Sequence, residues 1–438
     1  MRIKLVALMA CLALFVAACG DGGDDGGESE FGGGAGAKVE ASKCGADNGE
    51  KATGEPIKLG AINTKQPGTD FTEIARTAQA YFECVNENGG IKGRPVQLVM
   101  ETEQTDPAQA AAAAKKLIET EKVLGIVGST SIIECAVNHA YYEEQGFYVI
   151  GSGIAPECYG TSNYAAVNMG PRHSVTGAAQ YLIRQDVDKL VLIQSKVPGT
   201  EYIEGGFLAL AKQEGVPTVS LTEAVPIQDA NSVALKITQA AGQNGGVVLN
   251  FTPPEALKIL QAAAQQGLQD KVKGWACSTP CNTDFLAEAL GTTFDDKLGV
   301  NAELSLVSID APDTNLYRDI LKKYAPDIPL GSFSQFGFLE ARIATQALLD
   351  IEGDEYTVET VNEAFKNVKD FKTDMLCKPY YFGEGPLHIP NNTDITVTPK
   401  EGTMVEKESC FEISDADAPI KRVRDIEKDE GIYTEVSE

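Results

Sequence analysis

The sequence predicts an α/β protein of two lobes, each a doubly wound parallel sheet. Two observations carry this. From Ile57 onward, short apolar runs alternate with longer amphipathic stretches across short connections, the pattern of βαβ units in a parallel sheet. The alternation restarts at His173 and runs through a second series of similar length, with no short internal repeat to account for it.

In order along the chain, residues 57–62 read as a strand and 72–86 as a helix. Residues 96–100 are a strand, and 107–121, rich in Ala and Lys, a helix opened by Pro107, whose missing N–H is harmless in a first turn. The apolar run 123–128 is a buried strand, 133–145 a helix and 147–150 a strand. In the second series the helices are 173–186, 202–214, 230–243 and 255–267. The strands between them are 189–193, a stretch near Val219, 246–251 and 272–276. Beyond Lys372 the pattern changes. Tyr380-Tyr381-Phe382 and Ile395-Thr396-Val397 read as short antiparallel strands, and 416–438 as a charged tail whose final residues fray.

The N-terminus has its own logic. Arg2 and Lys4 precede an apolar run to Ala18, which closes with Val16-Ala17-Ala18-Cys19. Cations orient such a segment, the apolar run enters the translocon and small side chains precede the cleaved bond. The run is too short to span a bilayer comfortably. Residues 1–18 therefore read as a lipoprotein signal, and the mature protein is expected to begin at a lipidated Cys19. That places it at the cell membrane, on the extracytoplasmic face, through the lipid anchor alone. Residues 20–54 are Gly, Asp, Glu and Ala with little bulky apolar content besides Phe31, too little to bury a core. The 19–56 segment is thus expected to be a flexible tether with a reach of about 30 Å.

A chain of 438 residues with 43% hydrophobic content has enough material for two domains of ordinary size. Its formal charge of −26, more negative still once Arg2 and Lys4 leave, argues against nucleic acid or anionic lipid as a partner. A small ligand is not excluded, because a cleft can differ in sign from the surface around it.

Of the ten cysteines, Cys11 leaves with the signal and Cys19 takes the lipid. An even set remains, which in an exported protein points to disulfides. Their spacing points to neighbours in sequence: Cys44–Cys84, Cys135–Cys158, Cys277–Cys281 and Cys377–Cys410, with other pairings formally open. Zinc would need a second ligand pair beside Cys277 and Cys281, and His139, His173 and His388 stand at no such spacing. No metal and no cofactor are expected.

The run Asn88-Gly89-Gly90-Ile91-Lys92-Gly93-Arg94-Pro95, followed by Asp106-Pro107 and an Ala-rich helix, resembles the type I periplasmic binding proteins of branched-chain amino acid ABC transporters. Glycines in left-handed conformations stop one helix there, and the Asp-Pro turn starts the next. The resemblance extends through Gly125-Ile126-Val127-Gly128-Ser129, Glu144-Gln145-Gly146 and Ile150, and more loosely to Phe382. It implies a monomer of two lobes joined by a three-segment hinge, with crossovers near Met169-Gly170, 298–300 and 373–377. The first lobe would hold 57–169 with 301–374, and the second 170–300 with 375–415. A small molecule would be trapped as the lobes close and handed to ABC permease subunits.

In open α/β sheets, ligands sit beyond the carboxyl ends of the strands. Candidate contacts in the first lobe are Phe71, then Ser129, Thr130 and Ser131, then Ser152, Gly153 and Ile154. The second lobe offers Tyr202, Thr252 and Ser278. Hydroxyls and free N–H groups at a helix start suit a carboxylate, although an ordinary N-cap needs only one of them. Gly151 and Gly153 allow close backbone approach to a ligand, or simply turn the chain. Phe71 and Tyr202 fall where the resemblance implies aromatic rings over the ligand; packing between lobes is the plainer role. Glu201 is expected in solvent.

The departures from that family's pattern carry weight. Ile132 stands where the amino acid binders have a carboxylate-binding serine, and Ala155 where they have a threonine. The loop Cys277-Ser278-Thr279-Pro280-Cys281 lacks the acid that neutralises a ligand ammonium. A buried unpaired ammonium costs several kcal/mol. The expected ligand is therefore not a simple free α-amino acid but a small, partly apolar or aromatic acid or amide. A sensor lipoprotein signalling to a partner receptor is the alternative, and neighbouring permease and ATPase genes would separate the two. An enzyme is disfavoured: the chain has no Gly-x-Ser-x-Gly elbow, His-Glu-x-x-His pair or Walker loop.

Overall fold

The computed structural model describes residues 43–45, 48–383, 385 and 387–436; the 1–18 segment, Cys19 and the chain up to residue 42 lie outside the described residues. The first lobe begins with β1 (Ile57–Gln66), buried continuously over 59–64 as a strand covered on both faces must be. Its end turns back through β2 (Thr69–Asp70) into α1 (Thr72–Glu87), which buries Ile74, Ala78, Tyr81, Phe82 and Val85 at helical spacing. The helix stops where Gly89 and Gly90 take φ of +99° and +61° and the Gly90 N–H reaches the Val85 carbonyl. After β3 (Val96–Glu103), the Asp106 carboxylate accepts from the Ala108 and Gln109 N–H groups and opens α2 (Pro107–Lys115). The helical stretch expected to residue 121 ends in a π turn, Lys116–Glu121. Then follow β4 (Gly125–Val127), α3 (Glu134–Gln145), β5 (Val149–Gly151), α4 (Glu157–Gly160) and β6 (Tyr164–Ala166).

These strands pair in parallel in the order β3-β1-β4-β5-β6, with β2 as a hairpin on β1. The chain leaves β1 to one side and returns on the other, so the order reverses between β1 and β4. Such a switch point opens a crevice at the carboxyl ends.

The second lobe repeats the plan with α5 (Gly170–Arg184), β7 (Leu190–Ser195), α6 (Glu204–Glu214), β8 (Thr218–Glu223) and α7 (Ala230–Ala241). It continues through β9 (Gly246–Asn250), α8 (Pro253–Gln265), β10 (Gly274–Cys277), α9 (Asp284–Leu290) and β11 (Leu298–Asn301). Its parallel order is β8-β7-β9-β10-β11, with the switch between β7 and β9. The chain then returns to the first lobe for α10 (Pro312–Tyr324), α11 (Ser332–Asp350) and α12 (Val358–Lys366). It finishes with β12 (Thr393–Lys400) and β13 (Thr403–Glu412), antiparallel additions beside β11, and α13 (Ala418–Asp429).

Helix α11 is buried almost throughout, including Gln335, Glu340, Arg342 and Thr345, and therefore shows no polar face in the sequence. It lies so close to α1 that a Cβ on Gly337 would stand 2.0 Å from the Ile74 carbonyl oxygen.

The second crossover follows Asn301, next to the expected 298–300, because β11 pairs fully in the second sheet. Four features differ from expectation. The third crossover lies well beyond 373–377: Phe371, Met375, Tyr380 and Phe382 all bury in the first-lobe core, and the second sheet is entered only at Thr393. Tyr380-Tyr381-Phe382 is not a strand; Tyr380 makes a single bridge to Phe371 while Phe382 points its ring into the core. Much of the expected charged tail is helix, since α13 buries Ile420 and Val423 in one cluster with Met169, Tyr159 and Ile389. The end of the expected tether is also fixed. Cys44 is buried, and the Ala52 and Gly54 N–H groups donate to the Asn86 and Gly93 carbonyls.

All four neighbour-pair disulfides are present: Cys44–Cys84, Cys135–Cys158, Cys277–Cys281 and Cys377–Cys410.

Candidate ligand-binding site

The two switch-point crevices open onto one cavity of ≈ 820 Å³ between the lobes, its mouth included. First-lobe loops after β1, β4 and β5 bring Phe71, Thr130, Ile132, Ser152 and Ile154 to it. Second-lobe loops after β7, β9 and β10 bring Val197, Phe251, Thr252, Thr279 and Pro280. Phe333 and Phe336 enter from the start of α11, and Asn168, Gly170 and Glu303 come from the hinge. The lobes touch around this space. Thr252 Oγ1 donates to the Gly68 carbonyl at 3.1 Å, Ser332 N–H to the Asn282 carbonyl at 2.9 Å and Asp284 N–H to the Leu330 carbonyl at 3.0 Å. The molecule is closed over its cavity.

Of the ten candidate contacts, Phe71, Thr130, Ser152, Ile154 and Thr252 line the cavity. The Phe71 ring meets Phe333 edge-on at 5.6 Å. Thr130 has both main-chain groups in the sheet, bonded to Ile62 and Thr64, while its buried Oγ1 has no partner among the described residues. The Ser152 hydroxyl donates to Glu340, whose carboxyl burial holds well above the usual carboxylate range.

The other five serve the frame. Extended chain alternates its side chains, so with Thr130 facing the cavity, Ser129 and Ser131 face away. Ser129 Oγ accepts from the Ile62 N–H at 2.9 Å and donates to Glu134. Ser131 Oγ caps α3, accepting from the Ile133 and Glu134 N–H groups, and donates to Glu103 at 2.9 Å. Gly153 binds Asn168 through both main-chain groups, and a Cβ there would strike Tyr159 at 2.8 Å. Ser278 donates to Asn250 Oδ1 at 2.7 Å. Tyr202 turns away in the 3-10 turn Glu201–Ile203, which presents Ile203 to the cavity, and its carbonyl accepts from Arg172 at 2.6 Å.

Sequence reasoning found no acid for this cleft, and the structure supplies one. Glu303 follows β11, is buried, and lines the cavity. Its carboxyl accepts from the Thr279 hydroxyl, in the very loop that lacks an acid, and from the Met169 N–H at 2.7 Å. Burial pushes this carboxyl up to about 8, with those two donors pulling the other way. Its main-chain N–H donates to Asp394 Oδ1 at 3.2 Å, and the Asn391 amide donates to its carbonyl. The residue keeps a φ of +61°, an uncommon conformation for a side chain of this size. A strand end pointing at the crevice was its one sequence signal; Phe333 and Phe336 had none, because they belong to a helix with no amphipathic period.

A family model described as periplasmic binding protein matches residues 56–398. The chain is 25% identical over 200 residues to an amino acid binding protein of Pseudomonas aeruginosa, a match covering 44% of this chain and 52% of that one, about half its length. Among solved structures it resembles a branched-chain amino acid ABC transporter protein from Thermus thermophilus with bound valine, at 17% identity and a TM-score of 0.73 over 85% of this chain and 99% of the other. A fatty acid ABC transporter substrate-binding protein from Thermomonospora curvata gives 19% identity and 0.68 over 85% and 96%. A solute-binding protein of R. palustris in complex with benzoate gives 17% and 0.65 over 81% and 96%. At these identities the structural likenesses show a shared fold.

Proposed function

Since the chain belongs to the periplasmic binding protein family, we propose that it is a membrane-anchored, extracytoplasmic solute-binding protein that traps a small molecule between its lobes and delivers it to an ABC importer. One observation carries the reading: two sheet switch points, each a place where open α/β sheets bind ligands, share one cavity between the lobes. Its lining is mostly apolar, with Phe71, Ile74, Ile132, Phe251, Phe333 and Phe336 around a few hydroxyls and amides. Apolar walls supply affinity and sparse polar groups set orientation. The ligand is accordingly a small, partly apolar or aromatic compound with an acid, amide or comparable polar end.

Binding works through lobe closure. A ligand touching both lobes stabilises the closed form over the open one and shifts the equilibrium by its differential affinity. The protein contributes no chemistry to the cargo; the hinge and the two loop sets do the work. A native mass spectrum of protein purified without refolding should show a retained small molecule. Protein stripped of it should expand by small-angle scattering and contract on adding it back. A scattering profile indifferent to the molecule would refute closure as the mechanism.

A further inference from the structure

The cavity holds one acid and, among its described lining residues, no Lys, Arg or His. We propose that Glu303 is the polar anchor of the site and selects ligands whose polar end carries N–H donors, an ammonium or an amide, over those that end in a bare carboxylate. This rests on the solute-binding reading above and narrows its ligand class.

Three features of the geometry support it. Both carboxyl oxygens accept from protein donors, Thr279 O–H on one and Met169 N–H on the other. A carboxyl held in this way is arranged as an acceptor, with remaining lone pairs for a ligand donor. Second, nothing basic faces it. The titratable groups nearby are Asp394, which takes the Glu303 N–H, and Tyr159, whose hydroxyl is engaged with the Gly153 carbonyl and Asn168. His173 turns one ring nitrogen to the Met169 carbonyl and the other toward Asp417 at 3.4 Å. A ligand cation would thus be the charge partner the fold omits, whereas a ligand carboxylate would find no cation in the lining to compensate its own desolvation. Third, the backbone of Glu303 is kept in the left-handed region by Asp394 and Asn391, which fixes where its carboxyl points.

The position also couples binding to closure. Met169 lies in the first crossover, Glu303 in the second and Asn391 at the third, while Thr279 belongs to a second-lobe loop. A ligand donor on Glu303 therefore acts where all three connecting segments meet. With the lobes together and the cavity empty of ligand, burial favours the protonated carboxyl up to about 8. An amine must ionise it, so amine binding releases a proton and weakens as pH falls below that value, by about tenfold per pH unit. An amide donates to either form and carries little pH dependence.

The test is isothermal titration of the full mature protein, stripped of retained ligand, with two matched series. One is benzylamine, benzamide and benzoate; the other is isoamylamine, 4-methylpentanamide, 4-methylpentanoate and leucine. Amine- or amide-bearing members should bind at least about tenfold more tightly than the carboxylate of the same body. Glu303→Gln should erase about tenfold of amine affinity and leave the carboxylates within about threefold. Tighter binding of benzoate or 4-methylpentanoate than of their N–H counterparts, or an unchanged ranking in Glu303→Gln, would overturn the proposal while leaving the solute-binding reading intact. Failure of every compound to bind or to contract the protein by scattering would remove that reading, and this one with it. If Glu303→Gln does not fold, the wild-type ranking and the pH slope for the amines decide the matter on their own.

Discussion

Thr130 and Ser131 are adjacent hydroxyls with opposite fates. Thr130 Oγ1 is buried at the cavity with no partner among the described residues, which on the solute-binding proposal makes it a donor for the ligand. Replacing it by Val keeps the shape and should weaken binding of the retained ligand by about tenfold with little change in melting temperature. Ser131→Ala removes the cap of α3 instead, costing about 1 kcal/mol of stability and leaving affinity alone. Titration calorimetry and chemical denaturation on both variants check the pair; reversed effects would show that the alternation has been misassigned. Glu134 belongs to the frame as well. Burial raises its carboxyl from 4.5 to about 8 against the donors Tyr142 and Ser129. Between those values the native state keeps a proton that the unfolded chain has lost, so stability is full below the lower value, declines with rising pH and levels off above the upper one. Glu134→Gln, neutral throughout, should flatten that part of a melting-temperature profile against pH.

At the scale of elements, α13 and the last disulfide govern the hinge side of the molecule. Asp417, at the start of α13, takes two Arg172 donors at 2.7 Å, and Arg172 in turn holds the Tyr202 carbonyl beside the cavity. Helix α13 therefore braces the cavity wall through α5. Ile420→Ala should cost about 2–4 kcal/mol in denaturant unfolding, the range for a buried large-to-small change. An exposed, frayed segment would lose almost nothing. Cys377–Cys410 closes a sequence separation of 33, worth about 3–4 kcal/mol on the chain-entropy model. The double Cys→Ala variant should lose stability of that order and keep its ligand affinity. The βαβ elements were legible because each has one dominant period. Helix α11 was not, since a helix buried all round shows no period, and α13 was hidden by charges that solvate one face while Ile420 and Val423 bury the other.

At the scale of the whole molecule, the reading requires a body tied to a membrane. Arg2, Lys4 and the apolar run ending in Val16-Ala17-Ala18-Cys19 motivate the anchor. Cys19→Ala should move the protein to the soluble fraction or leave the signal uncleaved, as membrane fractionation and intact mass would report. A processed Cys19→Ala protein still held at the membrane would sink the lipid-anchor proposal. Among the described residues, contacts with the body already occur at Lys43, whose carbonyl accepts from Arg342, and at Cys44, which is bonded to Cys84 near the end of α1. The later part of the expected 19–56 tether is therefore fixed to the body.

The sequence by itself determined the alternation of strands and helices, the two-lobe plan and the loops that border the cleft. All of these depend on neighbours along the chain: hydrophobic period, glycine and proline punctuation, and spacing. Only the tertiary structure decided which side of each loop faces the cavity, where the third crossover runs and which acid enters the site. Glu303 shows why. Its role comes from Met169, Thr279 and Asp394, which reach it from distant parts of the chain. Burial by those distant segments gives a carboxyl its function, and no local pattern records it.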